Sequence, residues 1–288
     1  MTLGEIAEAV DLKGIASVAA VFLPLQLALP HRREQKIFRK QWVSDLSYLL
    51  FNGFFIKAGI ALLLGLSLTH LQALMPQAVI GFVGRRNIVW QVVGAFVISD
   101  IGYYAAHRLF HAVPFLWRFH AVHHSIEELD WLAAHRVHPV DQTITMVMSS
   151  LPVLALGFSL PALAIFGFIH LMQAHLVHAN TRIHFGPLRW VFCSPLFHHW
   201  HHANEPAAWD KNFSARLIVL DWMFGTLHMP DEMPARYGTD HPVPNLYPLQ
   251  LLWPLTRQAR APRPSEPAPE LAAAPAAATA PAPERQAG

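Results

Sequence analysis

Apolar residues occur along this chain in long blocks rather than in short alternations, and such blocks predict helices. From Gly14 to Pro30 only Ser17 and Gln26 interrupt the apolar run. At 1.5 Å per residue it barely crosses a hydrocarbon core of about 30 Å, so a tilted span is expected. The run HRREQKIFRK follows, with Arg32, Arg33, Lys36, Arg39 and Lys40. A secretory signal carries its basic residues ahead of the apolar stretch, so the segment reads as membrane-embedded. The positive-inside rule then places the basic run in the cytoplasm. Leu46 to Leu68 leaves that face despite Lys57, a short loop around Met75 and Pro76 lies outside, and Ile88 to Ala106 returns. Arg85 and Arg86 stand on the outer side of that return, against the simple rule.

Between His107 and Asp141 the chain turns polar and rich in histidine. Apolar sequence resumes at Ile144 and continues to Leu176, room for two short passes broken near Pro161 that bring the chain back to the same face. His178 to Tyr247 is amphipathic and rich in Trp and Phe, as expected of helices lying on a membrane surface. After Ala261 the sequence is mostly Ala and Pro, which cannot bury a core and is expected to be disordered. The expected fold is all-α and membrane-embedded, with the histidine-rich stretch at the cytoplasmic face. Residues 1–41 form its N-terminal segment and basic loop, 42–260 the membrane-embedded domain, and 261–288 the tail.

Composition narrows the class. The chain is 53% hydrophobic and 14% charged, against roughly 25% charged in soluble domains, which argues against a soluble globular enzyme and against disorder of the whole chain. A net charge of +2 gives no field suited to nucleic acid. A single cysteine, Cys193, makes neither an intrachain disulfide nor a cysteine-based metal site, and reads as a small buried hydrophobe.

Histidine is the outlier: there are 19, and 15 lie between His107 and His202. Three clusters stand out: His107 with His111, then His120, His123 and His124, then His198, His201 and His202 around His199. Residues three or four apart share a helical face, so each cluster is expected to point its imidazoles in one direction. A structural zinc site needs four ligands, whereas these clusters supply eight, which implies two metal ions. A fourth segment, His175 to Asn180, can add His178 and His175, of which His178 is the stronger candidate. Imidazole suits iron, zinc, copper and nickel alike. Asp100, seven residues before His107, is a candidate to orient a ligand ring from within the membrane, and Asp130, Asp141, Asp210 and Asp221 are unranked candidates for the same role. His135 and His138 stand between ligand and supporting roles. His184 and His199 are expected outside the ligand set, and His31, His70, His228 and His241 have no metal role.

With these motifs in order, the stretch from Trp42 to Pro230 resembles the sterol desaturase and fatty acid hydroxylase superfamily of membrane di-iron oxygenases. The resemblance rests on H-x3-H, H-x2-H-H and a final H-x2-H-H beyond a membrane hairpin, with WRFHAVHHS, RVHP, HAN, FGPLRWVF, SPLFHHWHH, KNFS and LDWMFGT around them. It implies an integral membrane helical bundle of about four spans with a cytoplasmic helical cap holding a histidine-ligated pair of irons, for which zinc can substitute in purified protein. It also implies a ligand segment at His178, with His175 three residues before it and Ala174 four, so the ligand count lies between eight and ten. A lipid substrate, O2, a separate electron donor such as a ferredoxin or reductase, and a bacterial cytoplasmic membrane with the site facing the cytoplasm complete the expectation. The reaction class is hydroxylation or desaturation of an unactivated C–H bond in a sterol, fatty acyl, carotenoid or related lipid. Two other classes compete: a non-enzymatic membrane metal-binding or transport protein, whose site would sit nearer the bilayer midplane, and a zinc-dependent membrane hydrolase, which would leave most of the histidines unused.

Overall fold

The computed structural model describes residues 12–52 and 70–260, and within them the protein is helical. Among the described residues there is no strand, and the β-structure amounts to two isolated bridges, Phe192 to Leu217 and Ala203 to Tyr237. The helices are α1 (Leu12–Ala28), α2 (Trp42–Ser47) running into a π-turn at Tyr48–Asn52, α3 (Gln77–Gly84), α4 (Ile88–Ala112) and α5 (Pro114–His124). They continue as α6 (Pro139–Ala155), α7 (Leu160–His178), α8 (Pro195–His201), α9 (Val219–Met223) and α10 (Tyr247–Leu252). Two of them, α4 and α7, are long and apolar enough to cross a membrane. At 17 residues each, α1 and α6 fall short of the roughly 20 a perpendicular span requires. From residue 53 onward the expected span Leu46 to Leu68 lies outside the described residues, as do residues 1–11 and the tail 261–288.

Helix α4 is the axis of the site. Asn87 caps it, its side chain accepting from Trp90 N at 3.0 Å. Nothing in HRLFHA breaks a helix, so α4 runs six residues past the predicted end at Ala106 and carries His107 and His111 on its last turns. It stops at Val113, held extended by the following proline, and Pro114 opens α5. α4 packs most extensively along α6, and Gly102 makes this possible. A Cβ there would stand 2.0 Å from the Met148 carbonyl oxygen and 2.9 Å from Ser149 Cα, so the two backbones touch. The hairpin expected near Pro161 is present, with the break at residues 156–159, Gly157 at φ +77 and Pro161 in the first turn of α7.

One expectation is corrected. The stretch from His178 to Tyr247 is mostly irregular, with α8 of 7 residues and α9 of 5 residues. Its backbone is held by buried Asn and Asp side chains rather than by helical bonds. The basic run is not uniformly free charge. Arg39 is buried with its Nη2 2.5 Å from Asp45 Oδ2 and 2.6 Å from Asp130 Oδ1, and Arg136 Nε meets Asp45 Oδ1 at 2.5 Å. Arg32 lies 4.4 Å over the Tyr237 ring and donates to the carbonyls of Pro234 and Ala235. Asn180 of the HAN motif exchanges two hydrogen bonds with the Arg32 backbone, at 2.8 and 3.0 Å.

Candidate metal centre

The structure gathers nine of the ten candidate ligands into two buried groups, each with its ligand atoms within 4.8 Å of one another: His107, His111, His120, His124 and His201, and His123, His178, His198 and His202. Within the five-histidine group, His120 Nε2 lies 3.0 Å from His107 Nε2 and 3.2 Å from His124 Nε2, and His124 Nε2 lies 3.0 Å from His201 Nε2. Within the four-histidine group, His178 Nε2 lies 3.3 Å from His123 Nε2 and 3.0 Å from His198 Nε2, which is 3.1 Å from His202 Nε2.

The clusters do not map one to a group, as a shared helical face would have it. From α5, the i, i+4 pair His120 and His124 enters the five-histidine group while His123 enters the other. From α8 the assignment is reversed: His198 and His202 enter the four-histidine group and His201 the five-histidine one. Neighbouring residues on a helix point about 100° apart, so each H-x2-H-H motif straddles both groups and ties them together.

The other ring nitrogens fix the tautomers. His107 Nδ1 donates to Phe213 O at 2.8 Å, His201 Nδ1 to Lys211 O at 2.8 Å, His123 Nδ1 to Arg136 O at 2.9 Å and His178 Nδ1 to Ala174 O at 2.8 Å. Carboxylates hold two more: His120 Nδ1 is 2.7 Å from Asp141 Oδ2, and His111 Nδ1 is 3.0 Å from Asp210 Oδ1. These oxygens only accept, so Nδ1 carries the hydrogen and Nε2 turns a lone pair inward. Protonation does not relieve the crowding. Burial first, and then neighbouring imidazoles, pushes His123 down to about 3 and holds His124, His198, His201 and His202 well below the ordinary histidine range. Lone pairs converging at about 3 Å in a buried site repel one another unless a cation lies among them, so the residues fit metal ions held by imidazole.

His175 is not brought to either group. Its Nε2 faces His135 Nε2 at 2.9 Å, and its Nδ1 donates to Leu171 O at 2.7 Å. Three residues before His178 it lies about 60° around the helix from that ligand. His138 caps α6, its Nδ1 accepting from Val140 N, and His199 meets the Tyr237 hydroxyl at 2.7 Å. His241 accepts from Trp117 Nε1 at 3.2 Å. Asp100 does not reach a ligand ring. Seven residues place it on the right face but about 10 Å down the axis, where it pairs with Arg216 Nε at 2.7 Å and accepts from Leu217 N.

Of the four unranked aspartates, Asp141 and Asp210 reach ligand-candidate rings, and the KNFS loop that follows Asp210 adds two backbone acceptors that the sequence does not announce. Over residues 210–213 the chain supplies three of the four acceptors that orient the five-histidine group: the Asp210 carboxylate and the carbonyls of Lys211 and Phe213. Asp210 and Asn212 have φ of 56 and 60, the left-handed backbone that Asp and Asn tolerate best. Asn212 donates to Phe197 O and His228 O, and accepts from His228 N. Asp221, from LDWMFGT, accepts from Phe213 N and Ser214 N at 2.8 Å each and from Thr226 Oγ1 at 2.7 Å. The sequence signal was the Asp-Lys-Asn run, two turn-forming residues flanking one position. A polar cavity of about 40 Å³, lined by His111, Trp117, His124, His201, Trp209 and His241 among others, opens on this group.

Two buried imidazole groups that could hold metal ions, in a helical protein with two helices long and apolar enough to cross a membrane, fit the class of membrane-associated metal-binding proteins. Residues 92–226, just under half of the chain, match the fatty acid hydroxylase family, which supports the resemblance to the sterol desaturase and fatty acid hydroxylase superfamily. It is 33% identical to the ornithine lipid hydroxylase of Rhizobium tropici over 174 residues, 60% of this chain and 53% of that protein. It is also 31% identical to the alkylglycerol monooxygenase of Xenopus tropicalis over 54% of this chain and 34% of that protein, and 34% identical to that of Danio rerio over 52% and 33%. The chain thus spans about half the length of the first relative and a third of the others. No solved structure matches it significantly.

Proposed function

We propose that this protein is an O2-dependent, di-iron membrane oxidoreductase that oxidises an unactivated C–H bond of a lipid. The observation that supports the reading most is the convergence of nine buried imidazoles into two adjoining groups, six of them held at Nδ1 so that the Nε2 lone pair turns inward. The proposed ligands are His107, His111, His120, His124 and His201 for one iron and His123, His178, His198 and His202 for the other. Two irons held there would supply the O2 activation and C–H cleavage that side-chain acids and bases cannot perform. The chain's own part is positioning. Asp141, Asp210 and the carbonyls of Arg136, Ala174, Lys211 and Phe213 hold the rings in one tautomer, and burial excludes water. Hydroxylation is favoured over desaturation, since the relatives named above are a hydroxylase and monooxygenases. Entry of a lipid from the bilayer spares its transfer through water, about 0.8 kcal/mol per CH₂.

The test is metal content of detergent-purified protein, paired with O2 uptake on adding a chemical reductant and a bacterial lipid extract. Two irons with lipid-stimulated uptake are expected. Zinc-loaded protein that stays inert after anaerobic iron reconstitution would move the assignment to a metal-binding or hydrolytic role.

A further inference from the structure

We infer that the two histidine groups are unequal: the five-histidine group is the tighter metal site, and the four-histidine group is the one that gives up its ion first. This deepens the proposed function and rests on its metal-binding reading.

Three observations carry it. The first is ligand number, five imidazoles against four. The second is the charge behind the ligands. Two of the five rings back onto carboxylates, His120 onto Asp141 and His111 onto Asp210. The described acceptors in the other group are the neutral carbonyls of Arg136 and Ala174. A carboxylate hydrogen-bonded to Nδ1–H raises the basicity of Nε2, so the five-histidine group offers more donors and stronger ones.

The third is where the shortfall lies. The two groups are built alike, each taking an i, i+4 pair from one H-x2-H-H helix and the single middle histidine from the other. Beyond that, α4 gives the five-histidine group a second i, i+4 pair, His107 and His111, whereas α7 gives the other group His178 alone. The position one i, i+4 step before His178 is Ala174. His175 is on hand but points to His135 instead. The four-histidine group therefore has one coordination position that no imidazole of α7 fills, as a metal that must take up a further ligand requires.

The test is an equilibrium competition on the full-length protein in detergent, loaded anaerobically with ferrous iron, which takes more than four ligands where zinc is complete with four, and titrated with a chelator, with bound iron counted at each step. It is made at equilibrium because the cavity beside the five-histidine group makes release rates report access as well as affinity. Two separate steps of one iron each are expected, with midpoints at least tenfold apart. His202→Ala should abolish the weak step and keep the tight one. Asp210→Asn alters a side chain that is 56% exposed, so the fold should survive, and it should weaken only the tight step, by about 10- to 100-fold. Ala174→His should strengthen only the weak step. Release of both ions in one step, or a weak step that persists in His202→Ala, overturns the inference while leaving metal binding intact. Failure of the wild type to hold zinc or iron at all would overturn the proposed function with it.

Discussion

A buried imidazole is tolerable in an apolar chain only when both ring nitrogens have something to do, and six of the nine clustered histidines show a bound acceptor at Nδ1. The residues behind them are therefore as exposed to mutation as the ligands. Asp221 is the sharpest case. Its carboxylate takes Phe213 N, Ser214 N and Thr226 Oγ1, and through Phe213 O it sets the His107 ring. Asp221→Ala leaves two buried amides unpaired, which should cost about 2–4 kcal/mol, read as a lower melting temperature in detergent together with reduced metal content. Asp45→Asn tests a separate network. Asp45 faces both Arg39 and Arg136 in the interior, so its neutralisation leaves two guanidinium groups to share what remains and should destabilise by about 3–5 kcal/mol. Because Arg136 O orients His123, that variant should also lose metal. The spacing of the histidines makes the nine gathered residues legible in the sequence as ligand candidates. The division of each H-x2-H-H motif between two groups is not, because it depends on where the facing helices stand.

At the scale of elements, long apolar runs told of α4 and α7, and Pro161 told of the hairpin between α6 and α7, since both signals are local to the chain. The region from His178 to Tyr247 was misread as surface helices because its Trp and Phe pattern is compatible with them. What decides its path is a set of long-range anchors: Asn212 to Phe197 and His228, Arg216 to Asp100, Asn204 to Asp240. The same reasoning explains why Asp100 reads in sequence as a candidate to orient a ligand ring, since helical phase can be counted there while the partner waiting at Arg216 cannot. Packing of α4 on α6 supplies the element-scale prediction. Gly102 is where their backbones meet, with no room for a methyl group against Met148 O. Gly102→Ala must push the helices apart, at about 1–3 kcal/mol. Since α4 carries His107 and α6 carries Asp141 behind His120, the displacement should lower metal affinity as well as melting temperature. Gly167→Ala provides the control. That glycine has open space around the added methyl, so its metal content should match the wild type.

For the whole molecule, the two histidine groups are the point at which α4, α5, α7, α8 and the 210–214 loop are joined, and without a cation that joint is held by rings whose Nε2 atoms face each other at 3.0–3.3 Å. Metal binding should therefore be folding free energy for the bundle as much as a requirement of chemistry. An ion present at a hundred times its dissociation constant adds about 2.7 kcal/mol per site to the folded state, and for a domain of this size each kcal/mol moves the midpoint by roughly 2–4 °C. Stripping both ions with a chelator should lower the melting temperature in detergent by about 10–20 °C, and returning zinc should restore it, with a midpoint that rises with the logarithm of free zinc. A helix bundle whose stability came from apolar packing alone would show no such dependence, and a melting temperature indifferent to chelator would mean that protons or water satisfy the imidazoles. His123→Ala sharpens the comparison. It removes the only histidine that α5 gives to the four-histidine group, so its melting temperature should respond to zinc by about half the wild-type span, from the remaining site.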